Sequence, residues 1–147
     1  HVTGRAHYDE VSMLAAKDNR YQLVPFVYEG MASVLGAADV VVSRASATFI
    51  QELAGLKKTA ILVPSRALGD QRKNAEVYRE VEAAAVLTDA DIEEAGTLTE
   101  MILRLLSDSG RRAQLAERLH HFARPHAARD VAQLILHVVH QAKRPNH

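Results

Sequence analysis

Polar side chains suited to binding a phosphorylated ligand are concentrated between positions 44 and 74 of this sequence. Ser46, Ala47 and Thr48 follow an apolar run and precede a helical pattern, so we expect them at a helix N-terminus. The unpaired backbone N–H groups there, with the positive end of the helix dipole, form a site suited to phosphate. Glu52, farther along the same helix, supplies a carboxylate that can bind two ribose hydroxyls at once.

Further residues extend this pattern toward a larger ligand. Gln71 and Asn74 stand three residues apart on a predicted helix, and their amides can bind sugar hydroxyls. Arg44 can either pair with phosphate or brace the loop in which it lies. Val27 and Met31 offer apolar contact for a base. Phosphate, hydroxyl and base contacts together indicate a nucleotide sugar.

Each of these residues also has a purely structural interpretation. Arg44 and Glu52 can form ion pairs between elements, and Met31 at helical spacing suits a protein core. A Ser or Asp before a helix commonly serves as its N-cap, and amides on a helix surface are often only solvated. The residues concerned are Ser46, Asp70, Gln71 and Asn74.

The elements that position these residues follow from apolar periodicity. Continuous apolar runs predict strands, and positions three and four apart predict helices. Strands are predicted to end at 2–3 and to cover 21–27, 40–42, 59–63 and, more weakly, 84–87; helices are predicted at 8–17 and 31–37. The run at 40–42 suits a parallel strand that is covered on both faces.

Strands alternating with helices over short links predict the α/β class, with a Rossmann-like, doubly wound parallel sheet and C-terminal helices. The β/α part is 1–88 and the helical part 89–142, with Pro125 separating the last two helices and 143–147 frayed. Three apolar helix faces are predicted, formed by Leu98, Met101, Ile102 and Leu105; by Leu115, Leu119 and Phe122; and by Val131, Leu134, Ile135 and Val138.

Ligands bind beyond the carboxyl ends of the strands in such sheets. Those ends are predicted at 3–4, 26–31, 43–48 and 64–74, and we expect them to line a single crevice.

The composition excludes several classes of function. Of the 147 residues, 48% are hydrophobic and 24% charged, as in a globular domain with a substantial core. The 18 basic and 18 acidic residues balance, so no overall charge favours nucleic acid. The lack of cysteine excludes disulfides and thiolate chemistry. No apolar run approaches the roughly 20 residues that span a bilayer.

The eight histidines do not form a metal-binding pattern. His137 and His140 share a helix face, and His120 and His121 lie near another, but no carboxylate or third ligand stands at the spacing that metal sites use. No Ser-His-Asp or Cys-His set and no GxxxxGK(S/T) loop is present. We therefore expect neither a metal nor another cofactor.

Over nearly its whole length, the chain resembles the C-terminal domain of MurG-type glycosyltransferases, in glycosyltransferase family 28. HVTGRAHYDEV is similar to the family's H-x-T-G segment and the helix after it, and VPFVYEGMASVLGAADVVVSRASATFIQELAGL to its central signature. ILVPS followed by DQRKNA is similar to its donor-sugar loop, and LLSDSGRRAQLAERLHHFARPHAARDVAQLI to its closing helices.

The resemblance implies one half of the GT-B fold, in which two Rossmann-like domains face each other across a cleft. The C-terminal domain holds UDP-N-acetylglucosamine in that family. Glu52 would then bind the ribose hydroxyls, and the amides of Ser46, Ala47 and Thr48 the diphosphate. Val27 and Met31 would lie beside the uracil, Gln71 and Asn74 would hold the sugar hydroxyls, and Arg44 would support the pocket.

The activity implied is inverting transfer of N-acetylglucosamine to lipid I, which yields lipid II for peptidoglycan. The family's N-terminal domain binds the lipid-linked acceptor and contains the proposed catalytic His. It also makes much of the contact with the cytoplasmic face of the bacterial inner membrane. We therefore expect a fragment of a longer peripheral enzyme, without a catalytic residue of its own and inactive alone. We expect this fragment to begin in the tail of a strand and to lack the family's first strand. The alternatives are a GT-B transferase for another UDP-sugar or acceptor, and a non-catalytic nucleotide-sugar-binding subunit of a split glycosyltransferase.

Three positions depart from the family pattern. Ser46 replaces a usual Gly that lets backbone approach phosphate closely, so it would narrow the site or contribute its hydroxyl. Phe49 stands where the family commonly has Thr. Thr48, one position earlier, would supply the missing hydroxyl. Asp70 replaces a usual His and adds a carboxylate, which is unfavourable near a diphosphate unless it points away.

Overall fold

The computed structural model describes residues 1–142 of the chain. They form two compact units, His1–Ala37 and a second unit that begins at Ala38.

The first unit is built around one short parallel contact. Val2 forms a bridge with Val24, in which the Thr3 N–H donates to the Val24 carbonyl at 3.1 Å and the Val24 N–H to the His1 carbonyl at 2.9 Å. A 3₁₀ turn at Arg5–His7 leads into helix α1 (Tyr8–Leu14), and helix α2 (Met31–Ala37) closes the unit. The prediction of a helix over 31–37 is confirmed.

Two predicted elements of this unit are wrong in extent. The strand predicted at 21–27 is reduced to the bridge at Val24, because Pro25 has no N–H to continue the ladder. The helix predicted at 8–17 ends at Leu14. Met13 and Leu14 are 80% and 83% exposed, so little apolar burial is available to extend a short helix.

The second unit contains a parallel sheet of three strands in the order β1 (Val40–Ser43), β2 (Thr59–Leu62) and β3 (Ala85–Val86). Val41 pairs with Ala60, and Ile61 pairs with Ala85. The strands predicted around 40–42, 59–63 and 84–87 are confirmed. All four residues of β2 are buried, and the strand is central in the sheet, between β1 and β3.

Burial of β1 differs from the prediction. Val41 is buried but Val42 is 40% exposed, so this strand is not covered on both faces. Within residues 1–142, β1 has only β2 as a neighbour and is an edge strand. A side chain at such an edge has fewer groups to pack against, which explains the exposure.

Helices connect and follow the strands. In chain order they are α3 (Ala47–Gly55), α4 (Gly69–Glu80), α5 (Asp89–Glu93), α6 (Thr97–Ser107), α7 (Ser109–His120) and α8 (Ala127–Ala142). A core forms where strand residues meet α6 and α7; its buried members are Ile61, Val63, Leu87, Leu105 and Leu115. Alternation of parallel strands with helices confirms the predicted α/β class.

The apolar faces of the last helices differ in burial. Leu98, Met101 and Ile102 pack against the core, as predicted. Phe122 lies just beyond α7, where its ring contacts Tyr78 edge-to-face at 5.1 Å. In α8 the large apolar side chains are 43% to 63% exposed. No helix within residues 1–142 is long and apolar enough to cross a membrane, and the predicted fraying at 143–147 lies outside the described residues.

Candidate functional site

A short turn connects the end of β1 to the N-terminus of α3. Ser46 is extended, with φ −74° and ψ 136°, and its Oγ accepts a hydrogen bond from the Phe49 N–H at 3.4 Å. Ser46 is therefore an N-cap, as its structural interpretation predicts. The Ser46 Oγ is therefore used as an acceptor for the helix backbone.

Two backbone donors of this first turn remain open. The N–H groups of Ala47 and Thr48 have no acceptor among residues 1–142, and both residues are exposed. At a helix N-terminus such donors, with the helix dipole, favour an anion.

Glu52 lies on the exposed side of α3. Burial of Ile50, Leu53 and Ala54 fixes which face of the helix points to the core. Thr48 and Glu52 are four residues apart and therefore share the opposite face, one turn from each other. The exposed Glu52 carboxylate forms no ion pair or hydrogen bond with the described part of the chain, so its interpretation as an ion-pair partner is wrong.

The side-chain amides of Gln71 and Asn74 on α4 each use one of their two polar atoms in a hydrogen bond with the protein. The Gln71 Oε1 accepts from the Ser65 N–H at 3.1 Å, and the Asn74 Nδ2 donates to the Ala45 carbonyl at 3.1 Å. Their interpretation as merely solvated groups is wrong. The Gln71 Nε2 and the Asn74 Oδ1 have no partner within residues 1–142 and stay available for hydroxyls. The Asn74 bond also ties α4 to the residue before Ser46.

Asp70 does not cap α4. The helix begins at Gly69 with Leu68 in the N-cap position, so Asp70 lies inside the first turn, where its exposed carboxylate suits the helix dipole.

Arg44 braces the loops at the carboxyl ends of the strands. Its Nη1 donates to the Asp89 Oδ1 at 2.9 Å and to the Val63 carbonyl at 3.2 Å. The Asp89 Oδ2 accepts from the Arg66 backbone N–H at 3.0 Å. The Arg44 guanidinium, and then the Arg66 N–H, hold the pKa of the Asp89 carboxyl below its usual range.

Asp89 and Arg66 are the residues of this region that the sequence prediction missed. Asp89 comes three residues after Val86, the last residue of β3, so the rule that ligands bind at carboxyl ends of strands gave a signal for it. Arg66 lies in the 64–74 loop already singled out.

Val27 and Met31 belong to the first unit, and the seven other predicted residues belong to the second. Both side chains are half-buried, and Met31 is the first residue of α2. The single crevice combining all nine residues stays a prediction.

A cavity of about 380 Å³ lies elsewhere, near the amino end of β3. Side chains from α4, α6 and α7 and from the loops beside them surround it, among them Arg79, Glu82, Met101, Arg104 and Arg111. It does not include the predicted binding residues. Within residues 1–142, no group of three His, Asp or Glu side chains is placed to hold a metal ion.

Comparison with known proteins identifies the domain. Residues 1–135 match the family described as the glycosyltransferase family 28 C-terminal domain. Two similar relatives are named UDP-N-acetylglucosamine--N-acetylmuramyl-(pentapeptide) pyrophosphoryl-undecaprenol N-acetylglucosamine transferase. The one from Listeria monocytogenes serovar 1/2a is 30% identical over 95% of this chain and 39% of its own length. The one from Salinibacter ruber is 35% identical over 91% of this chain and 36% of its own length.

A solved structure agrees in fold. The crystal structure of Acinetobacter baumannii MurG matches with a TM-score of 0.77 and 23% identity, over 92% of this chain and 40% of that one. This match confirms the predicted fold, a Rossmann-like domain that forms one half of the GT-B fold. The chain spans about two fifths of the length of the curated relatives that it matches. Because the family match covers most of the chain, the chain belongs to the glycosyltransferase family 28 C-terminal domains.

Proposed function

We propose that residues 1–147 form the UDP-N-acetylglucosamine-binding domain of an N-acetylglucosaminyltransferase, with a β/α part over 1–88 and a helical part over 89–142. The complete protein would convert lipid I to lipid II in peptidoglycan synthesis. Membership of the family and the printed names of the relatives support this assignment.

The observation that carries the proposal is the exposed face of α3. Thr48 and Glu52 share this face. Within the described chain, the N–H groups of Ala47 and Thr48 have no acceptor, and the Glu52 carboxylate has no partner. An anion donor set one turn from a free carboxylate matches the diphosphate and ribose of a nucleotide sugar.

The remaining contacts are assigned by the groups that stay available. The Gln71 Nε2 and the Asn74 Oδ1 would bind hydroxyls of the N-acetylglucosamine ring, with the other half of each amide held by the protein. Arg44 would support the pocket through Val63 and Asp89 instead of binding phosphate with its whole guanidinium. Val27 and Met31 would contact the uracil.

The proposed reaction is the inverting transfer that the resemblance to the family implies. An acceptor hydroxyl would attack the anomeric carbon from the face opposite the leaving UDP, so the configuration would invert. Negative charge grows on the departing diphosphate, and the free N–H groups of Ala47 and Thr48 would stabilise it. No catalytic base is assigned in this chain, since an N-terminal domain would supply the base and hold the lipid-linked acceptor. That domain would also place the enzyme on the cytoplasmic face of the inner membrane.

Calorimetric titration of the complete protein tests this proposal. UDP-N-acetylglucosamine, UDP and UDP-galactose are titrated into wild type, Glu52→Ala and the control Glu80→Ala, which removes an exposed carboxylate from the end of α4. We expect UDP-N-acetylglucosamine to bind more tightly than UDP-galactose, and Glu52→Ala to weaken it at least about tenfold. Preference for UDP-galactose would indicate a different transferase, and the absence of binding would reject the proposal.

A further inference from the structure

We infer that Asp89 is a positioning residue for donor binding, which holds the loops after β1 and β2 in their binding arrangement. The inference rests on the proposed function of the same edge of the sheet.

Asp89 joins three strand ends through one carboxylate. It follows β3, its Oδ1 accepts from Arg44 after β1, and its Oδ2 accepts from the backbone of Arg66 after β2. Its side chain is only 19% exposed, although it sits at the start of a helix. Each oxygen therefore has its own partner on a different loop.

Both partners adjoin the proposed binding groups. Arg44 stands two residues before Ser46, the N-cap of α3, and its second bond to the Val63 carbonyl fixes the guanidinium against β2. Arg66 directly follows Ser65, whose N–H is bound by Gln71. Movement of Asp89 would therefore shift both the phosphate donors and a sugar-binding amide.

The backbone that carries the Asp89 carboxylate is held by hydrogen bonds on both sides. Thr88 and Asp91 form a capping box at α5, with the Thr88 N–H donating to Asp91 at 2.6 Å and the Asp91 N–H donating to Thr88 at 3.2 Å. Because Asp89 lies between them, its backbone is restrained on both sides.

Glu82 provides a matched control. Its carboxylate also pairs with two arginines, Arg111 and Arg118, and it stands three residues before β3 where Asp89 stands three residues after it. The two acids therefore have similar pairing at opposite ends of the same strand.

The test compares Asp89→Asn, Asp89→Glu and Glu82→Gln in the complete protein. The Kd for UDP-N-acetylglucosamine is measured by calorimetry, and kcat and the donor KM by transfer assays. We expect Asp89→Asn to raise Kd and KM about tenfold while kcat changes less than about threefold. Asp89→Glu, which keeps the charge, should recover part of the affinity, and Glu82→Gln should bind like wild type.

Arg44→Gln provides a second route if Asp89→Asn does not fold. It breaks the same pair from the other side and should also weaken donor binding. Where both single variants fold, the losses of affinity should be less than multiplicative in the double variant Arg44→Gln, Asp89→Asn, because each substitution removes the same contact. Multiplicative losses would contradict the inference.

The outcomes separate the two proposals. If wild type binds the donor and Glu52→Ala weakens that binding, but Asp89→Asn binds like wild type, the positioning role is wrong and the proposed function stands. Equal weakening by Asp89→Asn and Glu82→Gln would also overturn it, since a general loss of stability would explain both. Failure of wild type to bind any UDP-sugar would reject the proposed function itself.

Discussion

At the scale of single residues, the hydroxyl of Ser46 is committed to its own helix. It accepts from the Phe49 N–H, so phosphate contacts are left to the free N–H groups of Ala47 and Thr48. The family's usual Gly at this position would allow closer backbone approach but would supply no side-chain cap. The helix of this chain is therefore capped by Ser46, whereas a narrower approach to its first turn stays a prediction.

Replacement of Ser46 tests the capping role. Ser46→Ala should lower the free energy of unfolding by about 0.5 to 1 kcal/mol, because the Phe49 N–H loses its acceptor. Ser46→Gly should cost only a few tenths of a kcal/mol, since water reaches the freed donor more easily. Urea denaturation of the three proteins measures the difference. Equal stability of the Ala variant and wild type would contradict the capping role.

At the scale of elements, the strands of the second unit were predictable because their apolar runs are continuous and their neighbours are near in sequence. The failures have local causes in the first unit, where Pro25 interrupts a ladder and exposed Leu14 ends a helix. The places of the candidate residues on α3 and α4 were predictable from spacing, whereas their contacts with a ligand stay predictions. The Arg44–Asp89 pair was not, because it joins residues 45 positions apart and no local pattern records such a contact.

The packing of α7 leads to a stability prediction. Leu119 is fully buried, whereas Leu103 of α6 is exposed. Leu119→Ala should lower the free energy of unfolding by about 2 to 5 kcal/mol, since it leaves a cavity in the core. Leu103→Ala removes the same atoms, but from an exposed side chain. It should change the free energy of unfolding by less than about 0.5 kcal/mol. Chemical denaturation measures both, and similar values for the two variants would contradict the described packing.

Helix α8 should be the least protected of the long helices in the isolated chain. Its apolar side chains are largely exposed, so little tertiary packing supports it, and isolated helices of this length are marginal in water. Hydrogen exchange should therefore be fast in α8 and slow in α3, whose Ile50 and Leu53 are buried. Comparable protection of the two helices would mean that α8 is covered in solution.

At the scale of the whole molecule, charge is balanced and several carboxylates join separate elements. Asp89 pairs with Arg44 and Arg66, Glu82 with Arg118 and Arg111, and Glu117 with Lys57. In each case the hydrogen-bonded cation is the main cause that holds the carboxyl pKa below its ordinary value. The folded chain therefore binds fewer protons than the unfolded chain as the solution is acidified.

This difference fixes the sign of the pH dependence. The stability from a carboxylate with a lowered pKa is fully present above its unfolded pKa, near 4, and is lost as pH falls through the folded pKa. The free energy of unfolding should therefore fall from about pH 5 downward. The combined variant Asp89→Asn, Glu82→Gln, Glu117→Gln should flatten that slope, whereas Glu80→Gln should leave it unchanged, since the Glu80 carboxylate has no ion-pair partner within residues 1–142. Urea titrations at a series of pH values measure the slope. An unaltered slope in the combined variant would show that other carboxyls dominate acid unfolding.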